Sequence, residues 1–204
     1  VKNLGTLDRL LRVILAEGCA LAAFFWLSRE WQIVFYLLAA VLLVQAATGV
    51  CGFYNFLKWN TCENIKRKDK TLLPAAFVVM IVVAVVGSYG SIVLTRDIFQ
   101  DDLSSIKEPY DLTTQYVGQD LRQESVQQFE QLESALAAFQ EKYSDYRPPT
   151  VKFDDQFSGD LQNLSAIISG SREDIYNGSL KTAHDNLQMG RPALQRMLER
   201  NSLP

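Results

Sequence analysis

Residues 72–94 read LLPAAFVVMIVVAVVGSYGSIVL, twenty-three residues without a single charge. A bilayer core of about 30 Å takes roughly 20 apolar residues in helix, so this stretch alone is long enough to cross. Upstream lie two more apolar runs, residues 10–27 and 31–57. The first carries Arg12 near its start and Glu17 within it; the second is rich in Leu, Val and Ala. Three buried helices of a soluble domain would have to leave more polar surface than this. The basic start and apolar centre of the first run also resemble a signal peptide. No clear small-x-small cleavage site precedes Trp31, however, and the next run follows after a very short loop. A membrane hairpin plus a third span is the expected arrangement.

Charge divides the chain in the same place. Residues 1–96 hold ten Lys/Arg against five Asp/Glu, and residues 97–204 hold ten against eighteen, so the halves carry +5 and −8 of the total −3. Such asymmetry predicts two environments. The acidic half argues against nucleic acid as a partner, because that needs a basic face. Lys2, Arg9 and Arg12 precede the first run, and Lys58, Lys66, Arg67, Lys68 and Lys70 follow the second, with Arg29 alone between the two. The positive-inside rule then puts the N-terminus and the basic loop in the cytoplasm. Span three delivers the C-terminal half to the opposite side, the periplasm in a Gram-negative cell. Trp26, Trp31 and Tyr36 at one end of the hairpin, and Phe53, Tyr54 and Trp59 at the other, suit interfacial aromatic belts.

Two motifs flank the hairpin. Residues 3–12 read NLGTLDRLLR and residues 48–62 read TGVCGFYNFLKWNTC. Together they resemble the YgaP-like inner-membrane domain family over about residues 1–68. The positions that match are Asn3, Gly5, Asp8, Arg9 and Arg12 at the start, then Thr48, Gly49, Cys51, Tyr54, Asn60, Thr61 and Cys62. Many members have Pro after the first Cys, where this chain has Gly52. The resemblance implies a bacterial inner membrane and a two-helix module, and it implies little about activity. One known fusion of the module carries a rhodanese domain, but no alternating strand-helix pattern follows residue 70 here.

The residues have a physical reading beside the resemblance. Thr6 is expected to cap the first helix, with Asp8 favouring its positive end. Arg9 and Arg12, with Lys66, Arg67 and Lys68, are placed at lipid head groups or the interface. Gly18, Ala22, Ala39, Ala46 and Gly49 would let the two helices approach closely. Glu17 and Gln45 are the polar residues at membrane depth, read as paired with each other or with a partner subunit. Cys19 is read as a packing residue. Cys51 and Cys62 form a candidate thiol pair that the neighbouring Lys66, Arg67 and Lys68 would draw toward thiolate. They stand eleven apart with no His nearby, which speaks against zinc.

The second half reads as helical throughout. Residues 97–110 are expected to be a linker. From residue 111 to 204 an antiparallel bundle of three helices is expected, or four if 103–118 folds separately. The inward stripes are Leu121, Phe129, Leu132, Leu136, Phe139 and Tyr143, then Phe157, Leu161, Leu164 and Ile168, then Leu180, Ala183, Leu187, Leu194 and Met197. Pro148 and Pro149 stop the first, Asn177 and Gly178 the second, and Ser179 caps the third. Gly190 and Pro192 fall inside that third helix and are expected to kink it.

No cofactor is expected. The Cys-x-x-Cys-His of a c-type haem is missing, and His184, the single histidine, shares a helix with Met189 and Met197. Asp101–Asp102, Asp154–Asp155 and Glu173–Asp174 read as solvated caps and turns. With one His and no phosphate loop or nucleophile elbow, the usual parts of an enzyme are not legible. The fold class is therefore an all-α membrane protein: a hairpin with its basic loop at 1–70, a third span at 71–96, a linker and an acidic bundle. The expected function is a non-catalytic accessory or scaffold subunit of a larger membrane complex, such as one that transfers electrons. Its partners would be lipids, other membrane subunits and an extracytoplasmic protein. The alternatives are a thiol or persulfide relay through Cys51 and Cys62, and a ligand-binding membrane sensor.

Overall fold

A computed structural model describes residues 3–58, 61 and 72–201. Among these every regular element is helical: α1 Thr6–Trp26, α2 Arg29–Thr48, α3 Gly52–Phe56, α4 Leu72–Gly118, α5 Arg122–Asp145, α6 Pro149–Lys152, α7 Phe157–Tyr176 and α8 Leu180–Asn201. The chain divides into two compact units, Val1–Val93 and Leu94–Pro204.

In the first unit only Leu27 and Ser28 separate α1 from α2, and the two helices pair closely. Arg9 reaches Ala46 and Arg12 reaches Gln45, so the pair is antiparallel. The seam is built from alanines: Ala16 and Ala23 on α1, Ala39 and Ala46 on α2. Sequence reading had the right side of α2 but placed Gly18 and Ala22 at the seam of α1. Gly18 is exposed and Ala22 is half-buried. Thr6 does not cap α1 either; the N-cap is Gly5, with no side-chain bond. The second span, expected to reach residue 57, stops at Thr48. Gly49 there takes φ 71°, a left-handed conformation that glycine adopts without a Cβ clash. α4 packs on α1 in the same unit, where Leu21 meets Gly87 and Trp26 Nε1 donates to Ser91 Oγ at 3.1 Å.

α2 and α4 are the helices long and apolar enough to cross a membrane. Their large side chains point outward: Leu37 is 62% exposed, Val44 61%, Val85 62% and Val86 63%. Water would reject such a surface, and lipid accepts it. α1 is 21 residues long but carries Asp8, Arg9, Arg12 and Glu17.

The expected linker at 97–110 is helical, part of the 47-residue α4. Phe99, Leu103, Ile106 and Tyr110 are each fully buried in the core of the second unit. Their spacing of four, three and four is a helix stripe that the neighbouring Asp101, Asp102, Ser104 and Ser105 obscure. Pro109 did not end the helix, because its ring disturbs only the preceding turn and the stripe continues past it. The second unit is thus built on four long helical segments, the last part of α4 with α5, α7 and α8. α4 ends in a Schellman turn: Leu121 N–H donates to Tyr116 O and Asp120 N–H to Val117 O, with Asp120 at φ 60°. Leu121 consequently sits in the turn, 38% exposed, and is not part of the inward stripe of α5. The remaining predicted stripe residues are buried, or partly so at Leu161. Ser179 Oγ accepts from Thr182 N–H at 3.3 Å, as its capping role requires.

Candidate functional site

The two sequence motifs meet at the open end of the hairpin. Asn3 brackets the backbone of Cys51 on both sides: Nδ2 donates to Cys51 O at 2.9 Å, and Cys51 N–H donates to Oδ1 at 2.8 Å. The N–H groups of Asn3 and Leu4 both donate to Gly49 O. Thr61 closes the other side, its N–H donating to Asn3 O at 3.1 Å and its Oγ1 accepting from Gly5 N–H at 2.8 Å. Gly5 is required there, since a Cβ would stand 2.6 Å from Thr61 O. Asp8 receives Thr61 Oγ1 at 3.3 Å and Arg12 Nε at 3.0 Å. Arg12 also donates to Gln45 Oε1 and lies over the Tyr54 ring, 5.2 Å from its centroid. Arg9 donates to the carbonyls of Ala46 and Ala47 at 2.5 and 3.1 Å. These are among the carbonyls that the end of a helix leaves without intrahelical partners.

So the motif residues form a clasp. Eight of the positions that carry the resemblance, Asn3, Gly5, Asp8, Arg9, Arg12, Gly49, Cys51 and Thr61, are joined in one network. Buried hydrogen bonds of this kind contribute about 1 kcal/mol each, and leaving one half unmade costs more. Cys51 is held in it by its backbone and is 2% exposed. Cys62, expected as its pair, lies outside the described residues with Lys66, Arg67 and Lys68. Cys19 is half-buried in α1, as a packing residue would be.

Glu17 and Gln45 do not pair. Gln45 serves Arg12, which is level with it across the hairpin. Glu17 is five residues further along α1, roughly 7 Å at the helical rise. Its Oε2 is buried with no hydrogen-bond partner among the described residues. Beside the clasp is a cleft of about 400 Å³ lined by Thr6, Arg9 and a set of apolar side chains from α1, α2 and Leu73.

The second unit holds an open groove of about 490 Å³ between α5 and α7. Tyr143, Phe157 and Leu161 give it apolar surface, Ser158, Ser165 and Ser169 give it hydroxyls, and Arg147 stands in its lining. Sequence reading missed this groove, although serines at 158, 165 and 169 repeat on one face of α7. His184 is bonded within the bundle, its Nδ1–H donating to Thr114 O at 3.1 Å. The acidic pairs serve structure: Asp102 accepts from Lys142 and the Tyr143 hydroxyl, and Asp154 from Arg200. No cluster of three metal-ligating side chains occurs among the described residues.

The geometry defines a helical domain, with helices fit for a membrane, whose N-terminal residues are clasped to the end of its second helix. Residues 1–65 match the family model described as inner membrane protein YgaP-like, transmembrane domain, which covers about a third of the chain. No curated protein and no solved structure matches the chain. The match and the two apolar helices fit an inner-membrane protein.

Proposed function

We propose that the protein is a non-catalytic accessory subunit of a larger membrane complex, anchored by α1, α2 and the first half of α4 as three spans. The observation that carries this reading is how the polar chemistry of the motif is used. Asn3, Asp8, Arg12 and Thr61 bond to one another and to backbone, as structural residues do. The outward Leu and Val side chains of α2 and α4 offer surface for lipid and for other membrane subunits. The second unit, with the chain's surplus of Asp and Glu, would lie outside the cytoplasm and dock a basic partner. Enzymatic activity is not part of this reading.

A thiol relay through Cys51 and Cys62 is the second reading. The burial of Cys51 weighs against it, because a nucleophilic thiolate needs access. The two separate in one experiment. Native membranes are extracted gently, run on a native gel and the band identified by mass spectrometry, with wild type beside a Cys51→Ser, Cys62→Ser variant. Co-migration with a larger complex at fixed stoichiometry, retained in the variant, is the expected result. Migration of the wild type as a lone small species contradicts it.

A further inference from the structure

Among the described residues none supplies a counter-ion to Arg9. Arg12 has Asp8, 3.0 Å away, but no carboxylate among the described residues lies within ion-pair distance of Arg9. A guanidinium has five N–H donors and does not deprotonate. Ala46 O and Ala47 O take two of them, which leaves three. An unpaired charge next to hydrocarbon is costly, so an anion is called for.

The adjoining cleft says which kind. It measures about 400 Å³, within the ordinary size of a ligand pocket. Thr6, Arg9, Leu10 and Val13 line it from α1, Leu43 from α2 and Leu73 from α4. Along α1 the lining therefore begins polar, with a hydroxyl and a guanidinium, and turns apolar one turn later. That is the order of head group and chain in a lipid whose head lies at the start of α1. We propose that the cleft binds one anionic phospholipid, its phosphate on Arg9 and Thr6 and an acyl chain along Leu10, Val13 and Leu43. The proposal rests on the reading that α1 and α2 lie in the membrane.

The test uses the full chain in a neutral detergent, with dioleoyl phosphatidylglycerol and dioleoyl phosphatidylcholine as probes. Binding is read by native mass spectrometry and by the shift in melting temperature. The wild type is expected to retain phosphatidylglycerol at least tenfold more tightly than phosphatidylcholine, and to be stabilised by it. Arg9→Gln should abolish the preference. Because Arg9 also bonds to α2 and its loss could unfold the hairpin, Ala47→Phe is the second variant. Ala47 lines the cleft and is exposed, so Phe fills the cleft while the carbonyl bonds to Arg9 remain. It too should lose the bound lipid. Equal binding of the two lipids by the wild type, or an undiminished preference in Ala47→Phe, overturns the proposal. So does an equal stabilisation by inorganic phosphate alone, since the acyl chain would then play no part. Release of the protein from membranes by alkaline carbonate would instead overturn the membrane reading beneath it.

Discussion

Asn3 illustrates how a motif residue can be essential without being reactive. Its amide completes both halves of the Cys51 peptide backbone, and both bonds are buried. Asn3→Ala would leave an N–H and a C=O without partners, at a cost of about 2–3 kcal/mol. The expected outcome is a lower melting temperature in detergent and at least tenfold faster maleimide labelling of Cys51 in a background lacking Cys19 and Cys62. Unchanged labelling would show that the clasp does not control the thiol. In the second unit Asp160 is the comparable residue, 8% exposed and bonded to both Arg196 and Arg200. Burial alone would raise its pKa, but the hydrogen bonds from Arg196 and Arg200 outweigh that and hold it below the usual carboxylate value. The stability this supplies is complete above about pH 4 and is lost as pH falls through the folded-state value. Asp160→Asn should cost about 2 kcal/mol at pH 7, part of it screened because Arg196 is half exposed, and should flatten the acid limb of the stability curve. Much of this scale was open to sequence reading as identity but not as partnership. Asn3, Asp8, Arg9 and Arg12 stood out as a motif, yet their bonds to Gly49, Cys51 and Ala46 depend on the hairpin register, which no local pattern encodes.

At the scale of elements, α4 holds the main lesson. Its apolar first half is plain from composition, and α5, α7 and α8 follow from their stripes and stop signals. The part from 97 to 110 was hidden because acidic and hydroxyl residues occupy the faces between its four core positions. A period of 3.6 is hard to read when four core positions in fourteen carry it and Ile98, also apolar, falls off the stripe. The consequence is testable. Phe99→Ala or Leu103→Ala should destabilise the second unit by about 3–5 kcal/mol, as measured by thermal or denaturant unfolding followed by circular dichroism. A linker would tolerate either change with no loss. Likewise, trypsin should cut slowly after Lys107, whose backbone is inside the helix, compared with a peptide of the same sequence. Rapid cleavage there in the intact protein would restore the linker. The seam of α1 shows the opposite error. Small residues at 16, 18, 20, 22 and 23 leave its phase ambiguous, and only the packed helices show that Ala16 and Ala23 are the buried ones.

For the whole molecule, composition and charge already separate a basic, apolar part from an acidic one, and the division of the chain near residue 93 follows that boundary. What the sequence does not carry is the α5–α7 groove, because a groove is made by two helices that fail to close on each other. The proposed reading stands or falls on three spans that put the basic loop after α2 and the second unit on opposite sides of a membrane. Single cysteines at Lys58 and at Ser144, both exposed, in a background without the native thiols, report it directly when spheroplasts are treated with a membrane-impermeant maleimide. Labelling of Ser144→Cys in intact spheroplasts, with Lys58→Cys labelled only after lysis, is the predicted result. Labelling of both sites before lysis, or of Lys58→Cys alone, would contradict it.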